Sequence, residues 1–232
     1  MKHDYSLHQG HVLKRYDEDM RKLQKRVLKM GRLVRSQLAV LHEALAQNDE
    51  ERAEQIVEGD RSIDLLEVKV DKFIVRLLAR RSPVGGDLRF IVTASRMVTD
   101  LERLGDETVQ MAKVLMREYD NLGMCNDRSS LAEIREMIQL LGQLLARTME
   151  AFRHQDYRFA KDLAAGSAGA CDELDKRLKG MMACTISEGA DVVHAVNLVL
   201  ILRSLDRGLR YTQNIGEHII YLVTGKDVRH KA

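Results

Sequence analysis

Asp60 and Asp64, Glu67 and Asp71, and Glu102 and Asp106 each stand four positions apart. On a helix, positions i and i+4 share a face, so each pair makes a two-carboxylate claw. Asp60, Asp64, Glu67 and Asp71 follow a four-three-four spacing, which stacks four carboxylates in one row beside the apolar stripe of their helix. Glu102 and Asp106 hold the same relation to the stripe of the next helix. Carboxylates are hard oxygen ligands, suited to Mg, Mn, Fe or, less typically, Zn. Like charges at this spacing oppose helix formation by about 0.2–0.5 kcal/mol per pair, so something positive has to compensate. Chance alone gives roughly five i,i+4 acid pairs in a helical chain this acidic, so a single pair carries no information. Arg61, Arg76, Arg96 and Arg103 offer the plainer alternative of surface ion pairs. The stacking of the row and its place beside the core favour a metal.

Other chemistry leaves weaker traces. The chain lacks the E-x-x-H of ferritin-like di-iron centres, and also H-E-x-x-H, G-x-S-x-G, a P-loop and G-x-G-x-x-G. His194 and His218 lie beside apolar residues and read as packing histidines. Met111, Met116, Met137, Met149, Met181 and Met182 read as core fill. The first helix is basic, with Lys14, Arg15, Arg21, Lys22, Lys25, Arg26, Lys29, Arg32 and Arg35. Such a run is usually a solvated face; its sharper reading is a patch for anionic lipid, nucleic acid or an acidic partner.

Long helices must position these residues. Apolar residues recur at alternating threes and fours in six stripes: Leu23 to Leu45, Ile63 to Leu77, Val98 to Leu115, Leu131 to Leu145, a weaker one from Phe159 to Leu178, and Leu198 to Val223. Gln47-Asn48-Asp49 ends the first helix, and Asp49 is placed to cap the second. Ser82-Pro83-Val84-Gly85-Gly86-Asp87 ends the second, with Asp87 placed to cap the third. Asn121-Leu122-Gly123 stops the third helix, and Asp127-Arg128-Ser129-Ser130 starts the fourth. Gly189-Ala190-Asp191 separates the last two, and Gly225 takes the C′ position. Several of the six run near 30 residues, roughly 45 Å at 1.5 Å per residue.

The six helices read as two copies of three. An offset of 107 superposes Asp49 on Asp156, Ala53 on Ala160 and Gly59 on Gly166; an offset of 104 superposes Leu101 on Leu205, Glu102 on Asp206, Arg103 on Arg207 and Thr108 on Thr212. The expected fold is all-α: two tandem, pseudo-symmetric three-helix bundles over residues 10–121 and 127–226, with a short tail at 227–232. Composition agrees. Aromatics make up only 4% of the chain, with no Trp and one Pro, which disfavours β architecture. A net charge of +2 from 37 basic and 35 acidic residues disfavours nucleic-acid binding. Cys125, Cys171 and Cys184 are widely spaced, so neither a disulfide framework nor a thiolate zinc site is expected. The N-terminal stretch lacks the apolar core of a secretory signal, and no stretch approaches the ~20 residues of a membrane span. The expectation is a soluble, cytoplasmic protein.

Two segments carry a family resemblance: VEGDRSIDLLEVKVDKFIVRLLARRSPVGGDLRFIVTASRMVTDLERLGDETVQMAK (57–113) and GEHIIYLVTGKDVRH (216–230). The first closely resembles the PhoU family, with the DLR…LERLGD combination as its specific mark; the second resembles that family's end. The resemblance implies tandem three-helix bundles, a homodimer, and a non-enzymatic role. That role is negative regulation of the phosphate-starvation response, linking the ATPase subunit of a phosphate ABC transporter to a sensor histidine kinase at the inner membrane face. It also implies a divalent or multinuclear metal (Fe, Mn, Zn or Mg) on E/D-x-x-x-D motifs, which Asp60/Asp64, Glu67/Asp71 and Glu102/Asp106 match. The second repeat departs. Ser167, Cys171, Leu174 and Leu178 stand opposite the four acids of the row, and Asp206 is followed by Arg210 where the first repeat has Asp106. Asp172 and Asp175 substitute only if the register slips by one. One metal cluster is therefore expected, in the first bundle, with Asp206 and Arg210 as a degenerate second site. The alternative is a carboxylate-metal phosphohydrolase. Such an enzyme needs a general base or an anion-binding cationic cluster converging on the metal, and no motif of that kind stands out.

Overall fold

The computed structural model describes residues 14–47, 49–119, 128–155, 176–177, 179–180 and 192–228. Its helices are α1 (Lys14–Gln47), α2 (Glu50–Gly59), α3 (Arg61–Arg81), α4 (Gly85–Tyr119), α5 (Arg128–His154) and α6 (Val192–Thr224). The fold is all-α, with no strand among the described residues. The fifth stripe, Phe159 to Leu178, lies outside the described residues, as do Asp172, Asp175, the three cysteines, Met181, Met182 and the side chain of His194.

Local chemistry sets the helix ends. Asp49 caps α2: its carboxylate accepts the Arg52 N–H at 3.1 Å and pairs with Arg52 Nε at 3.0 Å. Ser82 ends α3 in the left-handed region (φ 43) and donates its N–H to the Leu78 carbonyl. Gly225 ends α6 at φ +71, a conformation open to glycine at no steric cost. Asp87 is not the cap of its helix. α4 starts two residues earlier, at Gly85, and Asp87 lies in its first turn, where its carboxylate faces the Tyr16 hydroxyl. The stretch expected as one second helix is also broken in two. Gly59 has low helix propensity, and Asp60 follows it outside both α2 and α3. The Asp60 carbonyl there accepts from Ile63 N–H at 2.7 Å and from Asp64 N–H at 3.2 Å, so the ladder tightens at the joint.

The core follows the stripes. Leu23, Val27, Met30, Val34, Leu38 and Leu41 of α1 are buried, as are Ile63, Leu66, Val70, Ile74 and Leu77 of α3. α1 packs against α3, α4 and α5, and α4 makes its most extensive contact with α6. Phe90 of α4 stacks on Phe152 of α5 at 5.8 Å.

The α4–α6 contact is reciprocal under the offset of 104. Arg207 grips Glu107 through two hydrogen bonds of 2.6 and 2.7 Å. The matching pair, Arg103 over the Tyr211 ring, lies at 6.0 Å. Thr108 and Thr212 are both buried and both donate to the carbonyl four residues back. Leu104 meets its own counterpart, Gly208, across this contact. A Cβ at Gly208 would stand 2.9 Å from Leu104 Cδ1 and 3.1 Å from Leu141 Cδ2. Gly208→Val is expected to cost about 1–3 kcal/mol by overpacking this crossing, read as a lower urea midpoint. An unchanged midpoint would mean that the helices separate there freely.

Candidate metal centre

α3 and α4 run antiparallel around the Ser82–Val84 turn, which brings the two acidic motifs face to face. Asp60 sits at the α2–α3 joint, Asp64, Glu67 and Asp71 on α3, and Glu102 and Asp106 on α4. Asp60, Glu67 and Glu102 are half-buried, whereas Asp64, Asp71 and Asp106 are exposed. Their mutual influence marks the cluster. Desolvation, then the charges of Asp106, Glu67, Asp64 and Asp60, push Glu102 up to about 7. Desolvation also raises Asp60, which Gln37 and Lys113 temper and Asp64 and Asp106 reinforce. Glu67 is raised by desolvation and by Asp71, Asp64 and Asp106, against Arg103. Asp106 is raised by desolvation and by Asp64 and Glu107, and lowered by Lys113 and by a hydrogen bond with Glu102. Five of the six acids thus gather. Asp71, one turn along from Glu67, stands at the margin.

Lys113 and Arg103 temper the ridge from nearby without closing an ion pair on it. Among the described residues no Lys, Arg or His forms an ion pair with any of the six acids. Arg103 faces Asp100 and Tyr211, and Arg76 donates to the Lys72 carbonyl.

Two residues beside the acids escaped the sequence reading. Gln37 of α1 is buried; its Nε2 donates to the Ile56 carbonyl at 3.4 Å and to Asp60 Oδ1 at 3.5 Å, while its Oε1 has no partner. Gly105, between Glu102 and Asp106, lets the α4 backbone press against this corner. A Cβ there would lie 3.3 Å from Ile63 Cδ1 and 3.5 Å from Asp60 Oδ1. Gln37 is a polar residue inside an apolar stripe, which is the available signal; Gly105 falls at a stripe position between Leu101 and Thr108, where nothing in the spacing points to Asp60.

Among the described residues no three His, Cys, Asp or Glu side chains converge closely enough to grip an ion as they stand. The donor set nonetheless fits a hard divalent cation: facing carboxylates without ion-pair partners, and an orphaned amide oxygen beside them. Asp60, Asp64, Glu67, Glu102 and Asp106 would hold the ion, and it would replace their mutual repulsion with attraction. In the second half Arg210 neutralises Asp206 directly, with Nε at 3.1 Å from one oxygen and Nη2 at 3.3 Å from the other.

The raised carboxyls give a pH dependence. An unfolded Glu titrates near 4.5, and Glu102 in the fold near 7. Between those values the folded chain holds the proton more tightly, so protonation favours folding. Metal-free protein is therefore expected to lose stability as pH rises from about 4.5 to about 7, and Glu102→Gln to flatten that loss. Urea midpoints across the window check this; a midpoint that climbs over the same window would contradict it.

Residues 27–115 match the PhoU domain, a stretch that takes in most of α1, all of α2 and α3, and nearly all of α4. The chain is 30% identical over 223 residues to the phosphate-specific transport system accessory protein PhoU homolog of Pseudomonas aeruginosa, covering 95% of this chain and 90% of that protein. It is 24% identical to the phosphate-specific transport system accessory protein PhoU of Escherichia coli K12, covering 95% and 90%. The crystal structure of PhoU from Pseudomonas aeruginosa superposes with a TM-score of 0.81 at 28% identity, covering 91% of this chain and all of that one. PhoU from Streptococcus pneumoniae superposes at 0.78 and 26% identity, covering 92% and 99%.

Proposed function

The chain belongs to the PhoU family, and from that premise we propose that it is a non-catalytic, metal-binding regulator of phosphate uptake. It represses the phosphate-starvation response by engaging the ATPase subunit of a phosphate ABC transporter and a sensor histidine kinase at the cytoplasmic face of the membrane. The observation that carries the reading is that the acidic ridge falls inside the matched PhoU domain. An adaptor of this kind shifts an equilibrium between signalling states by binding them unequally. Among the described residues no helix is long and apolar enough to cross a membrane, so contact with the transporter would be peripheral. The test is a deletion strain grown in abundant phosphate, with any paralogue also removed. Derepressed phosphate-responsive genes are expected; normal repression would refute the role.

A homodimer belongs to the same proposal. α3 and the start of α4 expose Leu65, Val68, Val75, Leu78, Leu88 and Val92. On α3 the spacing of Leu65, Val68 and Val75 is close to a coiled-coil seam, which a second copy can match by two-fold symmetry. Val75, 64% exposed, has most to gain from cover. Light scattering at micromolar concentration is expected to give a dimer mass, falling to the monomer in Val75→Glu. A wild-type monomer would refute the dimer, and a dimer persisting in the variant would refute this interface.

A further inference from the structure

Part of the basic run of α1, Lys25, Arg32 and Arg35, borders a groove. The groove lies between α1 and α5 and has a volume of about 690 Å³, within the range of small-ligand sites. Five cations line it, Lys25, Arg32 and Arg35 from α1 and Arg147 and Arg153 from α5, against one carboxylate, Glu150. That carboxylate is already taken, by Arg153 at 3.4 Å and by His154 at 3.2 Å. Among the described residues Lys25, Arg32, Arg35 and Arg147 have no ion-pair or hydrogen-bond partner, and all four are exposed. Like charges gathered at one seam repel, and an anion between them relieves the repulsion.

The groove is built into the packing. Its floor forms where Met149 lies against Gly31; a Cβ at that glycine would come within 2.7–2.9 Å of three Met149 atoms. Gln24 ties α1 to the end of α5, donating to the Arg153 carbonyl at 3.2 Å and reaching the Phe152 carbonyl at 3.5 Å. The two cationic rows are therefore held at a fixed separation.

We infer that this groove is a binding site for a linear oligophosphate anion, a small molecule bearing several linked phosphate groups. Lys25 to Arg35 spans ten residues of helix, about 15 Å, too long for a single orthophosphate to engage. Guanidinium forks suit phosphate oxygens, which they bind in bidentate fashion. The lining has no aromatic residue on which a base could stack, which disfavours single-stranded nucleic acid. Among the described residues α1 exposes no large apolar side chain, so the face has nothing to insert into a bilayer. This site lies away from the acidic ridge of α3 and α4 and stands independently of the metal reading.

The experiment is calorimetric titration of metal-stripped, full-length protein with sodium tripolyphosphate at low ionic strength. Removal of metal keeps the phosphate from being held through an ion on the acidic ridge. Saturable binding is expected, weaker by about tenfold or more when Arg32→Ala is combined with Arg35→Ala, and likewise in Arg147→Ala. Arg80→Ala, an exposed cation at the end of α3, is expected to leave it unchanged. Unaltered melting of the variants checks that they fold; if they melt early, Arg32→Gln with Arg35→Gln takes their place. Orthophosphate is expected to bind at least about tenfold more weakly, and binding should weaken as salt rises. No saturable heat, equal affinity for orthophosphate, or full affinity in the arginine variants would overturn the site. Co-sedimentation with phosphatidylglycerol vesicles that tripolyphosphate does not displace, and that the same variants abolish, would overturn it in favour of a lipid surface.

Discussion

Glu102→Ala combined with Asp106→Ala is expected to strip divalent metal from the purified protein to background by elemental analysis, while Asp206→Ala leaves the metal content unchanged. The double change removes both carboxylates that α4 contributes, leaving Asp60, Asp64 and Glu67 along the α2–α3 side. Changes that merely reorient a ligand cost about 10–100-fold in metal affinity, so losing two charged ligands should exceed about 100-fold. Asp206 differs because Arg210 already holds both its oxygens, and its pair needs no ion. Loss of fold cannot mimic the result in the metal-free state. Glu102 and Asp106 are both raised there by burial and by neighbouring acids, so removing them lowers repulsion and should leave the apo protein at least as stable. Equal metal loss from Asp206→Ala would mean two comparable sites, and a metal-free wild type would end the idea.

How far the sequence revealed this molecule depended on the kind of signal. Apolar periodicity marked the buried faces residue by residue: Val98, Leu101, Thr108, Ala112 and Leu115 of α4 are all in the core, as are Leu198, Leu202, Leu205 and Ile219 of α6. Burial of one stripe per helix dictates that pattern, and it survives without knowledge of the partners. The joint at Asp60 was not legible, because Gly59 inside a helical pattern is usually tolerated. Asp87 was misread as a cap because an acidic residue belongs equally well in a first turn.

At the ridge, spacing put the acids on single faces, but only the antiparallel turn of α3 into α4 shows that the faces oppose each other. Gln37 could not be attached to the cluster from sequence, since it comes from a third helix, 23 positions before Asp60. Long-range polar contacts leave no periodic trace. The same holds for Arg207 and Glu107, 100 positions apart, and for His218, read as a packing histidine with no named partner.

His218→Leu is expected to destabilise the protein by about 3–5 kcal/mol, a large part of the about 5–15 kcal/mol that a domain usually has. His218 of α6 and Asp100 of α4 are 7% and 5% exposed, and Nε2 meets Oδ2 at 3.1 Å across the main contact between the halves. Without the imidazole, Asp100 keeps only Arg103 at 3.9 Å, on a side chain 55% exposed that holds it weakly. The cost is that of a buried carboxylate left unsatisfied, not of lost packing, and a second substitution separates the two. Asp100→Leu added to His218→Leu should recover most of the stability, because an apolar pair of similar volume is often neutral or better. The fold supplies a precedent. Under the offset of 104 the counterparts of Asp100 and His218 are Ser204 and Val114, both buried and neither charged, and the helices pack there without an ion pair. Urea unfolding of the two single variants and the double variant measures the coupling. A single-variant loss below about 1 kcal/mol would mean that Asp100 finds water or Arg103 once His218 is gone, and that the pair contributes little to joining the halves.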